Sequence, residues 1–218
     1  MKNAPITAIP SEPGARHRPR AEERRDQILR EAALCFGTSG FRGTTTRDIA
    51  GRVGITEAAL YRYFPSKEAI YAAILDKRLA APDPIEPLEP FARAGRDREV
   101  LTRLALALFR SVSDDPSTLR LILYSALEGH EMARPFQEKR IRRLRDFLSQ
   151  YIERRAREGA FRGVDPVLGA RAFIGMVVDY LIVREIFGQR DQYPQPPEEV
   201  AATFVSIFLD GIRVGRDG

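Results

Sequence analysis

The spacing of apolar residues along the chain predicts an all-helical protein. Between proline-rich breaks, apolar side chains recur every three or four positions, as Ile28, Ala32 and Cys35 do near the N-terminus. No sustained alternation of apolar and polar residues at period two appears, so strands are not expected. The predicted helices cover residues 21–38, 45–53, 56–63, 66–80, 96–113, 117–128, 135–158, 165–188 and 197–213. The predicted fold class is therefore all-α.

Proline clusters divide these helices into two groups. Four prolines mark residues 1–20 as a flexible tail, which three arginines make basic. A second cluster, between residues 82 and 90, interrupts the chain again, because proline removes a backbone donor and breaks a helix interior. We therefore expect an N-terminal domain over 21–80 and a larger helical domain over 81–218.

Residues 45–64 carry the signals of two short helices joined by a tight turn. Thr45 stands three residues before Asp48, which is the spacing of a capping box. Gly54 can end this first helix, and Thr56 can cap the second. Two short helices joined in this way form a helix-turn-helix, whose second helix enters the major groove of DNA.

The surface of this unit has the residue types that a DNA-binding protein needs. Leu60 and Phe64 share one face of the second helix and can anchor it to the core. The small Ala58 and Ala59 then let the opposite face approach base edges, while hydroxyl and cationic groups around it are suited to phosphates. Each residue alone could be an ordinary surface side chain, but together they favour DNA binding. The candidate DNA contacts are Thr45, Thr46, Arg47, Thr56, Glu57, Ala58, Ala59, Tyr61, Tyr63 and Lys67.

A series of motif elements at fixed spacing runs through the same part of the chain. They are Gly40-Phe41, Thr45-Thr46 with Ile49-Ala50, Gly54-Ile55-Thr56, Leu60-Tyr61-Arg62-Tyr63-Phe64, and Lys67. In these elements residues 21–80 resemble the N-terminal DNA-binding domain of the TetR family of bacterial transcriptional regulators. Val53 and Ala58 depart from the family pattern, which makes the base-reading surface specific to this protein.

The resemblance implies roles for the candidate residues. Base contacts are implied for Arg47, Glu57, Ala58 and Ala59, and phosphate contacts for Thr45, Thr46, Tyr61, Tyr63 and Lys67. It also implies that the rest of the chain, which matches only in layout, is a divergent helical domain for ligand binding and dimerisation.

The distribution of charge agrees with a nucleic-acid partner for the first third of the chain. Residues 14–79 contain 13 Lys and Arg against 8 Asp and Glu, whereas residues 80–218 contain 21 of each. A localised positive field attracts phosphates or another anionic surface. An architectural protein that compacts DNA would need positive charge over a wider surface, so the neutral C-terminal part disfavours that alternative.

Several other classes of protein are disfavoured by what the sequence lacks. The only histidines are His17 and His130, and no nucleophile-elbow, P-loop or dinucleotide-binding motif appears, so an enzyme is not expected. One cysteine, Cys35, cannot form an intramolecular disulfide, and no metal or cofactor is expected. The start of the chain has no signal-peptide pattern, and the longest aliphatic run is too short to span a bilayer. We expect no membrane partner and a cytoplasmic location.

The last two predicted helices, 165–188 and 197–213, are apolar around more than one stripe. Such helices need cover on two sides, so we expect them to form a homodimer interface, with a monomeric bundle core as the alternative. An apolar effector site in the same domain is the weaker prediction, because aromatic residues at helical spacing are more often plain core. Its candidate residues are Phe109, Tyr124, Phe147, Met176, Asp179 and Tyr180.

Together these features predict a homodimeric, ligand-responsive regulator that binds a double-stranded DNA operator. A repressor released by a small-molecule effector is favoured, and an activator of the same fold is the alternative. The helix from Ser66 to Leu79 joins the two domains, and we expect it to carry the signal between them.

Overall fold

The part of the chain that the structure describes is mostly helical. The structure is a computed structural model that describes residues 17–113 and 115–213. The N-terminal helices are α1 (His17–Gly43), α2 (Thr46–Val53), α3 (Glu57–Tyr61) and α4 (Lys67–Leu79). A 3₁₀ turn (Glu86–Leu88) then leads into α5 (Glu89–Arg93), α6 (Asp97–Ser113), α7 (Ser117–Leu127) and α8 (Arg134–Phe136). A π-helical turn (Gln137–Arg142) continues α8 into α9 (Arg143–Arg157), a second (Ile182–Ile186) extends α10 (Pro166–Leu181), and α11 (Pro197–Ile212) is last. The all-α expectation is confirmed.

The first helix is longer at both ends than its apolar pattern predicts. It begins at His17, so the predicted flexible tail over 1–20 is wrong for its last residues; the remainder of that tail lies outside the described residues. At the other end the helix continues past Gly37 and breaks only at Gly40, whose φ of 71° and ψ of 177° are not helical. The predicted end at residue 38 is therefore two residues short of this break.

The helix-turn-helix forms as its capping signals predict. Thr45 caps α2 with both hydrogen bonds of a capping box present, and Gly54 ends the helix in the left-handed conformation at φ 74°. The Thr56 side chain accepts a hydrogen bond from the Ala59 amide and so caps α3. Leu60 is buried beneath this unit, which fixes the opposite face of α3 toward the outside.

The proline-rich segment after α4 is folded and does not act as a simple break. Its apolar residues Ile85, Leu88 and Ala92 are buried in the core of the C-terminal helices. Arg140 donates hydrogen bonds to the carbonyls of Ala81 and Pro82 at 3.2 and 2.7 Å. Arg140, which lies in the π-helical turn before α9, therefore holds the start of this segment in place.

Residues 17–113 and 115–213 form two hydrophobic cores, and the division between them does not follow the predicted domain boundary. One core belongs to the C-terminal helices. The other fills the space beneath α1, α2, α3 and α4, but it also contains Leu121 of α7 and Phe136 of α8. The DNA-binding unit is therefore completed by residues that come after residue 80.

The helix formed by α10 and its π-helical extension is long and apolar, and one of its faces is exposed. By length and composition alone Pro166–Ile186 could cross a membrane, although only 22% of its most apolar stretch is buried. The longest aliphatic run in the sequence is short, but the helix as a whole is apolar over a greater length than that run indicates. A core helix of a soluble protein passes the same test, so this finding is weak evidence for a membrane span. What it identifies is an apolar helix whose exposed face is available to a partner.

Candidate DNA-binding site

The N-terminus of α2 is held in place by a reciprocal pair of hydrogen bonds. The Asp48 amide donates to Thr45 Oγ1 at 3.1 Å, and the Thr45 amide donates to Asp48 Oδ2 at 2.9 Å. The Thr45 hydroxyl also donates to the same carboxylate oxygen at 2.7 Å. These bonds lower the pKa of Asp48 below its usual value, because they favour the charged form. The Thr45 hydroxyl is therefore already hydrogen-bonded within the protein. Thr45 would contribute to a phosphate contact by fixing the position of the α2 N-terminus.

The two helices of the helix-turn-helix are joined at their outer edge by a polar cluster. The Thr46 hydroxyl donates to the Glu57 carboxylate and lies 3.3 Å from the Tyr61 hydroxyl. Tyr61 is nearly half exposed. Three of the candidate contacts are thus brought together, and the cluster fixes the angle at which α3 leaves α2.

The outward face of α3 is small and accessible. Ala58 is exposed and Ala59 is half-buried, and Arg47 of the neighbouring α2 is also exposed. On the inward side Leu60 and Phe64 are buried, as the spacing predicts. The helix can therefore approach a groove closely on one side while its other side stays packed in the core.

The end of α3 is supported from α1. The Arg25 guanidinium donates to the Tyr63 carbonyl at 3.1 Å and lies 4.2 Å from the centre of the Phe64 ring. The Tyr63 side chain itself is half-buried. An arginine of the first helix thus holds the end of the recognition unit, which local spacing within residues 45–64 could not reveal.

The Lys67 ammonium binds backbone carbonyls between the break in α1 at Gly40 and the start of α2. It donates to Phe41 O and to Thr44 O, each at 2.7 Å, and lies 4.2 Å from the centre of the Phe41 ring. An ammonium group has three donors, so one N–H remains for another acceptor. The sequence predicted a phosphate contact here but did not predict this structural role.

A cleft of about 400 Å³ opens between the ends of α2, α3 and α4. Four candidate contacts are in its wall together with Arg42, which is not one of the candidates predicted from the sequence. The residues around the cleft are Arg42, Thr44, Thr45, Thr46, Tyr61, Pro65, Ser66, Lys67 and Glu68. Hydroxyl groups, two cations and the amides at helix N-termini make this surface suitable for phosphate oxygens.

The candidate effector residues are not all brought together. Phe109 is buried in the C-terminal core, and its ring centre lies 5.8 Å from that of Tyr180. Phe147 and Met176 pack against the same core. The other two candidates lie elsewhere.

Tyr124 and Asp179 do not join that aromatic group. Tyr124 donates a hydrogen bond to the Thr38 carbonyl of α1 at 3.0 Å, which places it at the junction with the DNA-binding unit. Asp179 is on the exposed face of α10. In the described part of the chain, no group of three His, Cys, Asp or Glu side chains is arranged to hold a metal ion.

Two family models match the chain. The first, described as bacterial regulatory proteins of the tetR family, matches residues 28–74. The second, described as the C-terminal domain of AefR-like transcriptional repressors, matches residues 99–211 and so covers more than half of the chain. The chain belongs to the TetR family. It is a regulator of transcription with a helix-turn-helix DNA-binding domain, as the resemblance of residues 21–80 implied.

Individual relatives of this TetR-family chain agree with that assignment. The nucleoid occlusion factor SlmA of Alteromonas mediterranea is 32% identical over 162 residues, which cover 69% of this chain and 78% of SlmA. The HTH-type transcriptional repressor KstR2 of Mycolicibacterium smegmatis is 44% identical over 52 residues, 24% of this chain and 25% of KstR2. The TetR-family regulator PfmR from Thermus thermophilus, known from its crystal structure, is 28% identical, with a TM-score of 0.65 over 84% of this chain and 97% of PfmR.

Proposed function

We propose that the protein is a homodimeric transcriptional repressor that binds an operator through α3 and is released from it by a small molecule. The observation that carries the DNA-binding part is the accessible Ala58 face of α3 beside the cleft that contains Thr46, Tyr61 and Lys67. A helix with a small outward face can reach base edges, and the cleft offers donors to the flanking phosphates. The match of residues 99–211 to a repressor C-terminal domain supports repression over activation.

The uncovered faces of the last two helices support the dimer. On α10, Leu168, Ala172, Gly175 and Asp179 are spaced to share one face, where Leu168 is 65% exposed. On α11, Ile207 is 58% exposed. A Cβ atom added at Gly175 would meet nothing within 4 Å. A second copy could approach this face closely, and a symmetric dimer would present two α3 helices to two half-sites.

For the effector, the aromatic group in the C-terminal core is the proposed site. Tyr180 has its ring centre 5.8 Å from those of Phe109 and Phe204 and 5.7 Å from that of Tyr193. The Arg184 guanidinium donates to the Tyr180 hydroxyl at 3.2 Å and could orient a polar end of the ligand. An apolar site with few polar groups is typical of small-molecule binding. We also propose a cytoplasmic location, where the operator is accessible.

The test of DNA binding is selection of fragments from genomic DNA by the purified protein. Recovered fragments should share a two-fold symmetric sequence with half-sites about one helical turn apart. Within such a site, Tyr63→Phe should weaken binding about equally on selected and random DNA, whereas Arg47→Ala should also relax base preference. If fragments are recovered at random, or if both substitutions act alike on the two kinds of DNA, the assignment of α3 and its flanks is wrong.

The likeness to SlmA favours a second candidate, a nucleoid occlusion factor. The alignment with SlmA covers 69% of this chain and therefore extends beyond the DNA-binding unit. The same selection separates the two functions. A repressor should give few sites that lie beside gene starts, and transcripts of those genes should rise when the protein is removed. Many sites spread over the chromosome, without such a change in transcripts, would favour the alternative.

A further inference from the structure

The C-terminal end of α7 binds the backbone of the DNA-binding unit at the point where α1 breaks. Glu128, which follows α7, accepts a hydrogen bond from the Phe41 amide at 3.2 Å and from the Arg42 amide at 3.3 Å. Its side chain is only 15% exposed. One carboxylate from the C-terminal half of the chain therefore satisfies two donors just before α2.

The break at Gly40 is shaped to receive this carboxylate. A Cβ atom at position 40 would overlap Glu128 Oε1 and would lie 3.0 Å from Tyr124 Cδ1. Tyr124, one helical turn before Glu128, donates to the Thr38 carbonyl at 3.0 Å. The end of α7 thus supplies a donor on one side of the break and an acceptor on the other.

The segment between the break and α2 is held from the opposite side by α4. As described above, the Lys67 ammonium donates to the Phe41 and Thr44 carbonyls. The Phe41 ring packs between these contacts and His130, with ring centres 5.5 Å apart. Because Thr45 begins α2 directly after this segment, the placement of the helix-turn-helix depends on an anion from α7 and a cation from α4.

The Glu128 carboxylate is itself oriented by its neighbours. His130 Nε2 lies 3.1 Å from Glu128 Oε2. The Ser125 hydroxyl donates to the His130 carbonyl at 2.8 Å and lies 3.2 Å from His130 Nδ1. These contacts fix the loop after α7, so a shift of α7 would move the carboxylate with it.

We propose that Glu128 is a positioning residue through which the C-terminal domain controls the placement of α2 and α3. With the carboxylate in place, residues 41–44 hold α2 at the angle that DNA binding requires. A ligand that displaces α7 removes the acceptor from the Phe41 and Arg42 amides and loosens that placement. The inference rests on the proposed DNA binding, and it adds a route through α7 to the one through α4 that the sequence suggested.

Thermodynamic linkage gives a test that does not need the effector. If the end of α7 and the DNA-binding unit are coupled, operator DNA must stabilise α7 as much as α7 stabilises the DNA-bound arrangement. Hydrogen exchange is measured by mass spectrometry on the full-length protein, with and without a duplex recovered by the genomic selection. In the wild type, DNA should slow exchange in peptides that cover residues 121–130.

The variant is Glu128→Ala, and the matched control is Glu131→Ala. Glu131 is close in sequence but 77% exposed and pairs only with Arg134 among the contacts described. In the DNA-free protein, Glu128→Ala should speed exchange of the Phe41 and Arg42 amides about tenfold or more, the change expected when a charge-assisted hydrogen bond is lost. It should also abolish the protection of residues 121–130 by DNA, whereas Glu131→Ala should leave both results unchanged.

Glu128→Gln keeps the proposal testable if the alanine variant folds poorly. Glutamine retains one acceptor oxygen and the same length, so partial protection of residues 121–130 should return. The proposal is overturned if DNA protects these residues equally in the wild type and in the Glu128→Ala variant, or protects them in neither while still binding. If the wild type binds no duplex at all, the proposed function fails together with the inference, and this outcome is distinct from binding without coupling.

Discussion

Replacement of Lys67 by methionine should destabilise the protein far more than the same replacement at Lys77 on the same helix. Methionine keeps most of the aliphatic stem and has nearly the helix propensity of lysine. The substitution at Lys67 therefore removes the ammonium group and leaves the Phe41 and Thr44 carbonyls without that donor. The Lys77 ammonium instead pairs with Asp26 at 2.7 Å on the surface.

The expected magnitude follows from these contacts. A hydrogen bond to a charged group contributes about 1.5–3 kcal/mol, and the position of the ammonium over the Phe41 ring adds about 0.5–1 kcal/mol. Two effects reduce the loss: water can reach part of the half-buried site, and removal of a cation from the first turn of α4 relieves about 0.3–1 kcal/mol of unfavourable helix-dipole interaction. We expect a net loss of about 2–3 kcal/mol for Lys67→Met. For Lys77→Met we expect about 0.2–1 kcal/mol, since both partners are about half exposed.

Urea unfolding at one fixed protein concentration measures both variants, because the stability of a dimer depends on concentration. If the losses of unfolding free energy in Lys67→Met and Lys77→Met differ by less than about 0.5 kcal/mol, the structural role of the Lys67 ammonium is refuted. The phosphate contact that the family resemblance implies for Lys67 would use its third N–H, because the other two donate to carbonyls. When the logarithm of the binding constant for the selected duplex is plotted against the logarithm of the salt concentration, the slope should be shallower by about 0.9 in Lys67→Met. An unchanged slope would show that Lys67 does not contact a phosphate.

Three further predictions concern the dimer and the buried polar groups. Gly175→Arg should give a folded monomer in sedimentation velocity, while Gly175→Ala should remain a dimer; a dimeric arginine variant would exclude this face from the interface. Burial raises the pKa of Tyr71 to about 12, so the stability that its neutral form provides should fall as the pH rises from about 10 to about 12, by about 1.4 kcal/mol at about pH 11. Tyr71→Phe should flatten this alkaline loss in urea titrations, and an equally steep loss would contradict the assignment. Asp97 is buried, accepts a hydrogen bond from the Tyr151 hydroxyl at 2.6 Å and pairs with Arg155 Nε at 2.8 Å, so Asp97→Asn removes the charge that pairs with Arg155 and should cost about 2–4 kcal/mol of unfolding free energy, and a loss under about 1 kcal/mol would count against that role.

Local chemistry predicted the helix-turn-helix closely. The capping box of Thr45, the left-handed Gly54 and the cap at Thr56 are each specified by residues within four positions of one another. The end of α1 was predicted less well, because Gly37 and Gly40 look alike in sequence, and only Gly40 has a positive φ and sits against the Glu128 carboxylate. Local patterns cannot supply a contact of this kind.

The parts of the site that the sequence missed depend on distant residues. Glu128 lies 87 positions from Phe41 along the chain, and Arg25 lies 38 positions from Tyr63. From the sequence alone, a carboxylate after a helix and an arginine on a surface helix are both expected to be ordinary solvent-exposed side chains. Their roles became visible only once the fold brought them to backbone groups left unpaired by a break or a helix end.

The mutual fit of Gly40 and Glu128 restricts how regulators of this kind can be recombined. A hybrid that grafts residues 1–80 onto the sensing half of a relative would separate the glycine from its carboxylate, although the cut falls between two helices. Any side chain at position 40 would in turn displace the Glu128 carboxylate from its place against the Phe41 and Arg42 amides. Working hybrids should therefore exchange both positions together. The segment that has to be transferred with the DNA-binding unit extends into α7.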